Sequence, residues 1–364
     1  MTSNNSANNI LKIYQQNQFP VFQNKVYSSE DEATNCALGE IDIVQDLSTG
    51  LIHNAAFKPE LMVYDESYNN EQGVSDLFNK HLNWVASTIE IHLGKQNLVE
   101  VGCGKGYFLE LLLRLGFDIT GFDSTYVGEN PRIIKQYFEP GIIKSPARGL
   151  ILRHVLEHIP NPVDFLYELR NSNSGRGLIY IEVPCFDWIM ENRTWFDIFY
   201  EHVNYFRIDD FKSMFAHVIE CGHCFGGQYM YVIADLSTLR QPKYTKLSKV
   251  NFPENFLGSL KSIPERQQNF INQKNRVAVW GGSSKGVIYS LLRERIGYPV
   301  DFVIDINPAK QGKFLPVTGL RIYSPSDALL KLKPGASVYV MNSNYLSEIK
   351  EISNHIFNYI GVDQ

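Results

Sequence analysis

Two stretches constrain this chain more than any others: "NLVEVGCGKGYFLELLLRLG" near the end of its first third and "RVAVWGGSSKGVIYSLL" in its last third. Each is an apolar run of strand length, a glycine-rich turn, and a segment with apolar residues at helical spacing. A strand that feeds a helix through such a turn opens a βα unit, which calls for a largely parallel sheet with helices packed on its faces. A chain of 364 residues exceeds what one hydrophobic core usually holds. The two turns therefore predict two α/β units. Strand and helix signals alternate from Asn97 to about Leu236, and a second α/β pattern runs from Arg276 to the end. "VSDLFNKHLNWVASTIEIHL" before the first turn predicts a helix through Leu77, Phe78, Leu82, Val85, Ile89 and Leu93. The text from "FPVFQN" to "VYDESYNN" consists of short strand-like pieces broken by Gly, Asn and Asp, which predicts a small irregular domain. "TKLSKVNFPENFLGSLKSIPERQQNFINQKN" reads as a helical bridge. The expected division is 1–75, 76–240 and 241–364.

Charge and cysteine usage exclude several classes. A net charge of −5 with mixed signs is no nucleic-acid footprint, which would be a basic patch or stripe. No apolar run approaches the length of a spanning helix. The start, "MTSNNSANNILKIYQQ", shows no signal peptide. The 5 scattered cysteines form no disulfide framework, so a reducing cytoplasm is expected.

In the first turn, Gly102, Gly104 and Gly106 let the backbone approach a ligand and adopt positive φ, while the helix start offers free N–H groups. The next strand ends at Asp123, placed to take the hydroxyls of a ribose. These features alone fit a dinucleotide or another adenosine ligand. The spacing distinguishes them, because the turn is G-x-G-x-G led by Glu100 and not G-x-G-x-x-G. Further on, "WFDIFYEHVNYF" crowds Asp197, Glu201 and His202 among aromatic rings, past "LIYIEVPCFDWIM", which reads as a strand running into a loop. Open α/β sheets place their sites at the carboxyl ends of strands. An unperturbed pKa of about 6.5 suits histidine to act as a base. Read from the residues alone, a packed aromatic loop with an inert, hydrogen-bonded His202 is the favoured reading.

The motif E-V-G-C-G-K-G, together with "HVLEH" at His154 to His158, resembles class I S-adenosylmethionine-dependent methyltransferases. That resemblance implies that Glu100, Gly102, Gly104 and Gly106 hold the methionine part of the cofactor and that Asp123 takes its ribose. It also implies that His154, Glu157 and His158 line the cofactor's far side. Without it, Glu157 and His158 serve as a helix-start acid and a solvated histidine. The segment after Asp123 shows no clear acid for the adenine amine. The order strand, "EVP", loop, "YEHVNYF" is similar to that of sugar C-methyltransferases acting on nucleotide-linked 4-keto-deoxyhexoses. This implies methyl transfer to C3 through an enolate, with His202 as general base and Glu201 as its partner. The family's tyrosine falls on Phe199, with Tyr200 adjacent. Tyr200, Asn204 and Tyr205 are the candidate donors for the developing oxyanion.

The resemblance extends to both ends. The family's N-terminal domain carries two Cys-x-x-Cys zinc pairs. Here Asp46 and Thr49 stand in the second pair's places, the first pair is missing, and Cys36 alone cannot make a four-ligand site. No zinc and no metal ligand set is therefore expected. Tyr64, Tyr68, Gln72 and Ser75 are expected to close over the site, with Gln72 and Ser75 on the cofactor and Tyr64 and Tyr68 on the substrate. A helix N-cap at Ser75 is the competing reading. At the other end, Gly281, Gly282, Gly286 and Lys285 look like a phosphate cradle, and Asp305 stands where a dinucleotide fold puts its ribose acid. A Rossmann-like substrate domain fits better, since the turn lacks dinucleotide spacing, and Lys285 is then a substrate contact. "CGHC" at Cys221 to Cys224, expected between a helix and a strand, stands in the wrong context for a redox pair. The implied ligands are S-adenosylmethionine, with S-adenosylhomocysteine as product, and a nucleotide sugar, with no nucleic acid or membrane and a monomeric chain. O- or N-methylation of a sugar nucleotide, and a non-catalytic S-adenosylmethionine-binding scaffold, are the alternatives.

Overall fold

The computed structural model describes residues 9–62, 75–260 and 276–363. Tyr64, Tyr68, Gln72 and most of the expected bridge beyond Leu260 lie outside the described residues. The chain builds three sheets, of four, seven and five strands.

The seven-stranded sheet carries the first glycine turn. The turn follows Leu98–Val101, which pairs in parallel with Ile119–Phe122 on one side and with the central strand Gly149–Arg153 on the other. Leu178–Pro184 continues the parallel run, and Tyr229–Asp235 then enters antiparallel beside it, with Val218–Cys224 at the edge. The central strands are mostly apolar because helices cover both faces, and the exceptions Glu100, Arg153 and Glu182 lie toward their carboxyl ends. Asp76–Leu93 packs Phe78, Leu82, Val85, Ile89 and Leu93 against one face. On the other, Pro162–Ser172 buries Leu166 and Leu169, and Ile208–Met214 buries Phe211 and Met214. This strand order, with one late antiparallel strand, is the arrangement expected of a class I methyltransferase sheet.

The five-stranded sheet is wholly parallel, in the order Ile322–Tyr323, Phe302–Ile304, Val277–Trp280, Ser337–Val340, Asn358–Gly361. The second glycine turn follows its middle strand and leads into the helix Ser284–Arg295. A Rossmann-like C-terminal unit is thus present.

The N-terminal sheet is antiparallel and draws strands from two distant parts of the chain. Ile10–Pro20, Leu38–Asp46 and Ile52–Asn54 are joined by Asn204–Tyr205, from the aromatic loop of the middle unit. The loop that carries His202 is therefore a structural part of the N-terminal domain. Cys221 and Cys224 lie within the edge strand Val218–Cys224, not between a helix and a strand as the sequence suggested. Among the described residues no helix is long and apolar enough to cross a membrane.

Candidate active site

A cavity of about 420 Å³ opens where the three units meet. Its walls come from the first glycine turn, the His154–His158 segment, Phe199 and His202 of the aromatic loop, and the second glycine turn. Both parallel sheets thus present strand carboxyl ends to one space, the usual location for ligands in open α/β sheets.

Glu100, Gly102 and Gly104 line the cradle end, and Gly106 starts the helix Tyr107–Arg114. The three glycines owe their identity to different causes. A Cβ on Gly102 would meet Val155 at 2.5 Å, and one on Gly106 would meet Ile133 at 2.3 Å, so internal packing accounts for both. Gly104 has φ of +54°, and a Cβ there would have nothing of the protein within 4 Å. The space above Gly104 is left for something other than protein. Its N–H donates to Asp123 Oδ2 at 2.8 Å, and Asp123 Oδ1 accepts from Thr125, so the expected ribose acid also shapes the turn.

Glu100 is buried and its Oε2 has no hydrogen-bond partner. Burial pushes its pKa up to about 7, opposed by Arg153 and reinforced by Asp123. A buried carboxylate oxygen without a hydrogen bond calls for a donor, and the ammonium of S-adenosylmethionine is such a group. The cradle therefore fits the cofactor. The N-terminal domain does not fit the family's zinc. Asp46 Oδ1 is taken up by Ser48 N and Oγ, Thr49 Oγ1 accepts from Leu51 N, and the lone Cys36 thiol is pushed up by burial.

Behind the cradle lies a charge cluster that the sequence reading missed. Glu182, fully buried, accepts from Arg153 at 2.9 Å and from Tyr180 at 2.8 Å, with ring nitrogens of His81 and His154 each 3.1 Å away. Burial raises its pKa, but Arg153 and the two histidines more than offset that and hold the carboxyl well below its usual range. His154 in turn is raised to about 9. Burial opposes its charge, but hydrogen bonds to Glu157 and Glu182 outweigh it. The signal was in the text: "LILRH" and "LIYIEVP" each place a charge at the end of an apolar strand, and Arg153 and Glu182 are register partners.

His202 is 9 % exposed and borders the cavity beside His158, with ring centroids 4.9 Å apart. Burial, followed by the charges of His158, His154 and Lys285, holds it well below the usual histidine range, so it is neutral. His158 Nδ1 donates to the carbonyl of Glu201 at 2.8 Å.

Several expected roles need correcting. The Glu201 carboxylate turns to the N-terminal domain, where it accepts the backbone N–H groups of Gln23 and Asn24. The carboxylate grouped with His202 is Glu157. Tyr200 packs on Phe57 and on Gly39, accepts Lys58 N–H at 2.8 Å and lies outside the cavity lining. Tyr205 donates its hydroxyl proton to the carbonyl of Phe199, and Asn204 Nδ2 donates to the carbonyls of Leu156 and Ile159. None of the three offers a donor to the cavity. Ser75 both N-caps its helix, accepting Phe78 N–H, and lines the cavity, donating to Glu348.

Lys285 enters from the second turn, 3.1 Å from Asp197 Oδ2 and 3.1 Å from Gln228 Oε1. Asp305 Oδ2 accepts the Gly282 N–H at 2.7 Å, so it shapes the second turn as Asp123 shapes the first. Lys310 donates to Ser283 Oγ, and burial lowers its pKa despite Asp305 and Glu201. Gln228, Asn342 and Lys310 are lining residues that the sequence reading did not single out.

The family model described as "Methyltransferase domain" matches residues 68–218, and "C-methyltransferase C-terminal domain" matches residues 237–361. No curated protein matches the chain at a significant level. Among solved structures, a protein from Pyrococcus horikoshii OT3 overlays at 13% identity, covering 50% of this chain and 100% of its own, with a TM-score of 0.37. The 1,6-didemethyltoxoflavin-N1-methyltransferase of Burkholderia thailandensis, solved with S-adenosylhomocysteine, overlays at 13% identity over 44% of this chain and 80% of its own, with a TM-score of 0.33. A SAM-dependent methyltransferase from Archaeoglobus fulgidus overlays at 17% identity over 42% of this chain and 94% of its own, also at 0.33. Overlays this loose carry no further argument. Strand order, the cradle with the unbonded Oε2 of Glu100 and the two domain matches agree: the chain is an S-adenosylmethionine-dependent methyltransferase whose last part is similar to a C-methyltransferase C-terminal domain.

Proposed function

We propose that the enzyme methylates C3 of a nucleotide-linked 4-keto-6-deoxyhexose, with His202 as the general base. The observation that carries this reading is a neutral, cavity-facing histidine between a cofactor cradle and a second, cationic glycine turn. A carbon beside a ketone loses a proton because the enolate spreads its charge onto oxygen. Neutral His202 takes that proton, and burial together with nearby positive charge suits it to release the proton after turnover. When bound, S-adenosylmethionine supplies an electrophilic methyl group. Glu100 and the Gly102–Gly104 backbone hold the methionine end, and Asp123 holds the ribose.

The donors expected from sequence are occupied, so the enolate oxygen needs another partner. Lys285 is the cation of the second turn that lines the cavity near enough to depress His202, and Asp197, Gln228 and the face of Trp188 fix its position. We assign it to the 4-keto oxygen, where a preorganised charge is worth most. Ser283, Ser284 and Lys310 remain for the nucleotide's phosphates.

The test uses a panel of dTDP-, GDP- and CDP-4-keto-6-deoxyhexoses with S-adenosylmethionine, and locates any new methyl by mass spectrometry and NMR. Methyl on C3, with turnover lost about 10²–10⁴-fold in His202→Asn and cofactor affinity retained, supports the reading. Methyl on oxygen or nitrogen, or near-full turnover by His202→Asn, refutes it.

A further inference from the structure

We infer that Glu157, His158 and His202 form a binding site for one borderline divalent transition ion of the Zn²⁺ or Co²⁺ class. One potential ligand atom from each residue lies within 4.8 Å of the other two, and all three side chains line the same cavity. Two further observations point to a ligand. Glu157 is 1 % exposed, with Oε1 paired to His154 Nδ1 at 3.4 Å and Oε2 buried without a hydrogen bond. His158 is locked in one tautomer. A carbonyl oxygen can only accept, so Nδ1 carries the proton given to Glu201 O, and Nε2 is the ring nitrogen left over for a ligand. Metal-binding histidines are commonly oriented by this kind of outer hydrogen bond.

The ligand set selects the ion. Two imidazole nitrogens and one carboxylate suit Zn²⁺, Co²⁺ or Ni²⁺, whereas Mg²⁺ and Ca²⁺ call for an all-oxygen shell. Three protein ligands also leave coordination positions open to the cavity.

A second cluster, His81, Glu182 and Cys224, meets the same distance criterion and is the natural rival. It does not suit a metal. Glu182 is already occupied by Arg153, Tyr180 and two histidines, and burial pushes the Cys224 thiol far above its ordinary value, so no thiolate is available.

An ion held by the His202 lone pair removes the group that would accept the substrate proton. Such an ion is therefore an inhibitor, a consequence that rests on the general-base reading, whereas the site itself does not.

Co²⁺ is the probe, because its visible d–d bands report coordination without any substrate. Titration of the full-length chain should show one equivalent bound, with no thiolate charge-transfer band. Glu157→Gln, His158→Gln and His202→Asn should each weaken binding by more than the roughly 10–100-fold that loss of an outer-shell partner costs. Cys224→Ser should leave the spectrum unchanged. An unchanged far-ultraviolet circular dichroism spectrum and melting transition in each variant shows that its fold is intact. Bands absent with Co²⁺ in large excess overturn the site. So does wild-type affinity in any of these three variants, or loss of the bands in Cys224→Ser. Bands that behave as expected, with methyl transfer unaffected by Co²⁺, uphold the site and refute His202 as the base.

Discussion

Glu100 ties cofactor binding to pH in a way that can be worked out in advance. In the free enzyme its pKa stands at about 7, mainly because it is buried. The ammonium of S-adenosylmethionine is best held by the charged carboxylate, so the observed affinity scales with the fraction of Glu100 that is ionised. That fraction is roughly 3 % at pH 5.5 and roughly 60 % at pH 7.2, so affinity should rise about 20-fold across this window. The window stops there because an α-amino group itself begins to lose its proton at about 7.7–8.0. Binding near pH 6 should also release close to one proton, which calorimetry in buffers of different ionisation enthalpy measures directly. Glu100→Gln should bind more weakly at pH 7.2 and show neither the slope nor the proton release. Stability should move the other way. A folded-state pKa above the unfolded value of 4.5 means that the folded chain holds the extra proton. Ligand-free stability then falls as pH rises from about 4.5 to 7, by on the order of 3 kcal/mol in total. Glu100→Gln should therefore raise the ligand-free melting temperature at neutral pH. A flat affinity profile in the wild type, or an unchanged slope in Glu100→Gln, would refute the assignment of Glu100 to the ammonium.

The remaining predictions concern the cradle and the charge cluster behind it. Gly104→Ala adds a Cβ where the protein offers no contact, so urea unfolding should show only the roughly 1–2 kcal/mol cost of the left-handed backbone, while cofactor affinity falls well beyond that. Equal losses in stability and affinity would show that Gly104 serves the turn alone. Arg153→Met strips the closest cation from buried Glu182 and should cost about 3–5 kcal/mol of stability, most of it restored by adding Glu182→Gln. Additive effects in the double variant would mean that the two groups are not coupled.

The parts of this molecule that were legible in the sequence are those in which local pattern and chemistry coincide. The glycine turns were readable because strand, turn and helix are contiguous. His154 was readable because it directly follows the carboxyl end of the strand Gly149–Arg153, and His202 because its loop crowds acids and aromatic rings together. Side-chain direction in the loop after Asp197 was not readable. It is set by pairing of Ile52–His53 with Asn204–Tyr205, a register between segments far apart in the chain. That register turns Tyr200 toward Gly39 and Glu201 toward Gln23, leaving Phe199 and His202 at the cavity. The Arg153–Glu182 pair was missed for a related reason. Each charge looked isolated in an apolar strand until the parallel pairing set them side by side.

The same register explains how the N-terminal domain can hold its place without a metal clip, and it gives Glu201 a different task. His202 is followed by Val203, whose N–H donates to the carbonyl of Glu157 and whose carbonyl accepts from Asn54 N–H. It is preceded by Glu201, whose carboxylate gathers the amides of Gln23 and Asn24. Asn24 in turn accepts from Ser284 Oγ, and the Ser284 N–H donates to the Gln23 carbonyl, so one short loop is tied to all three units. Glu201 is thus a positioning residue. Hydrogen bonds to a charged group contribute about 1.5–3 kcal/mol each, and Glu201→Gln keeps an acceptor but loses the charge. We expect it to lower the melting temperature and kcat together, with KM for S-adenosylmethionine little changed. The discriminating measurement is the pH–rate profile. If Glu201 acted on the His202 imidazole directly, neutralising it would move the basic group's apparent pKa. Because its carboxylate faces Gln23 and Asn24, the midpoint should stay where it is while the plateau drops. A shifted midpoint at an unchanged melting temperature would return Glu201 to the role that its place beside His202 in the sequence first suggested.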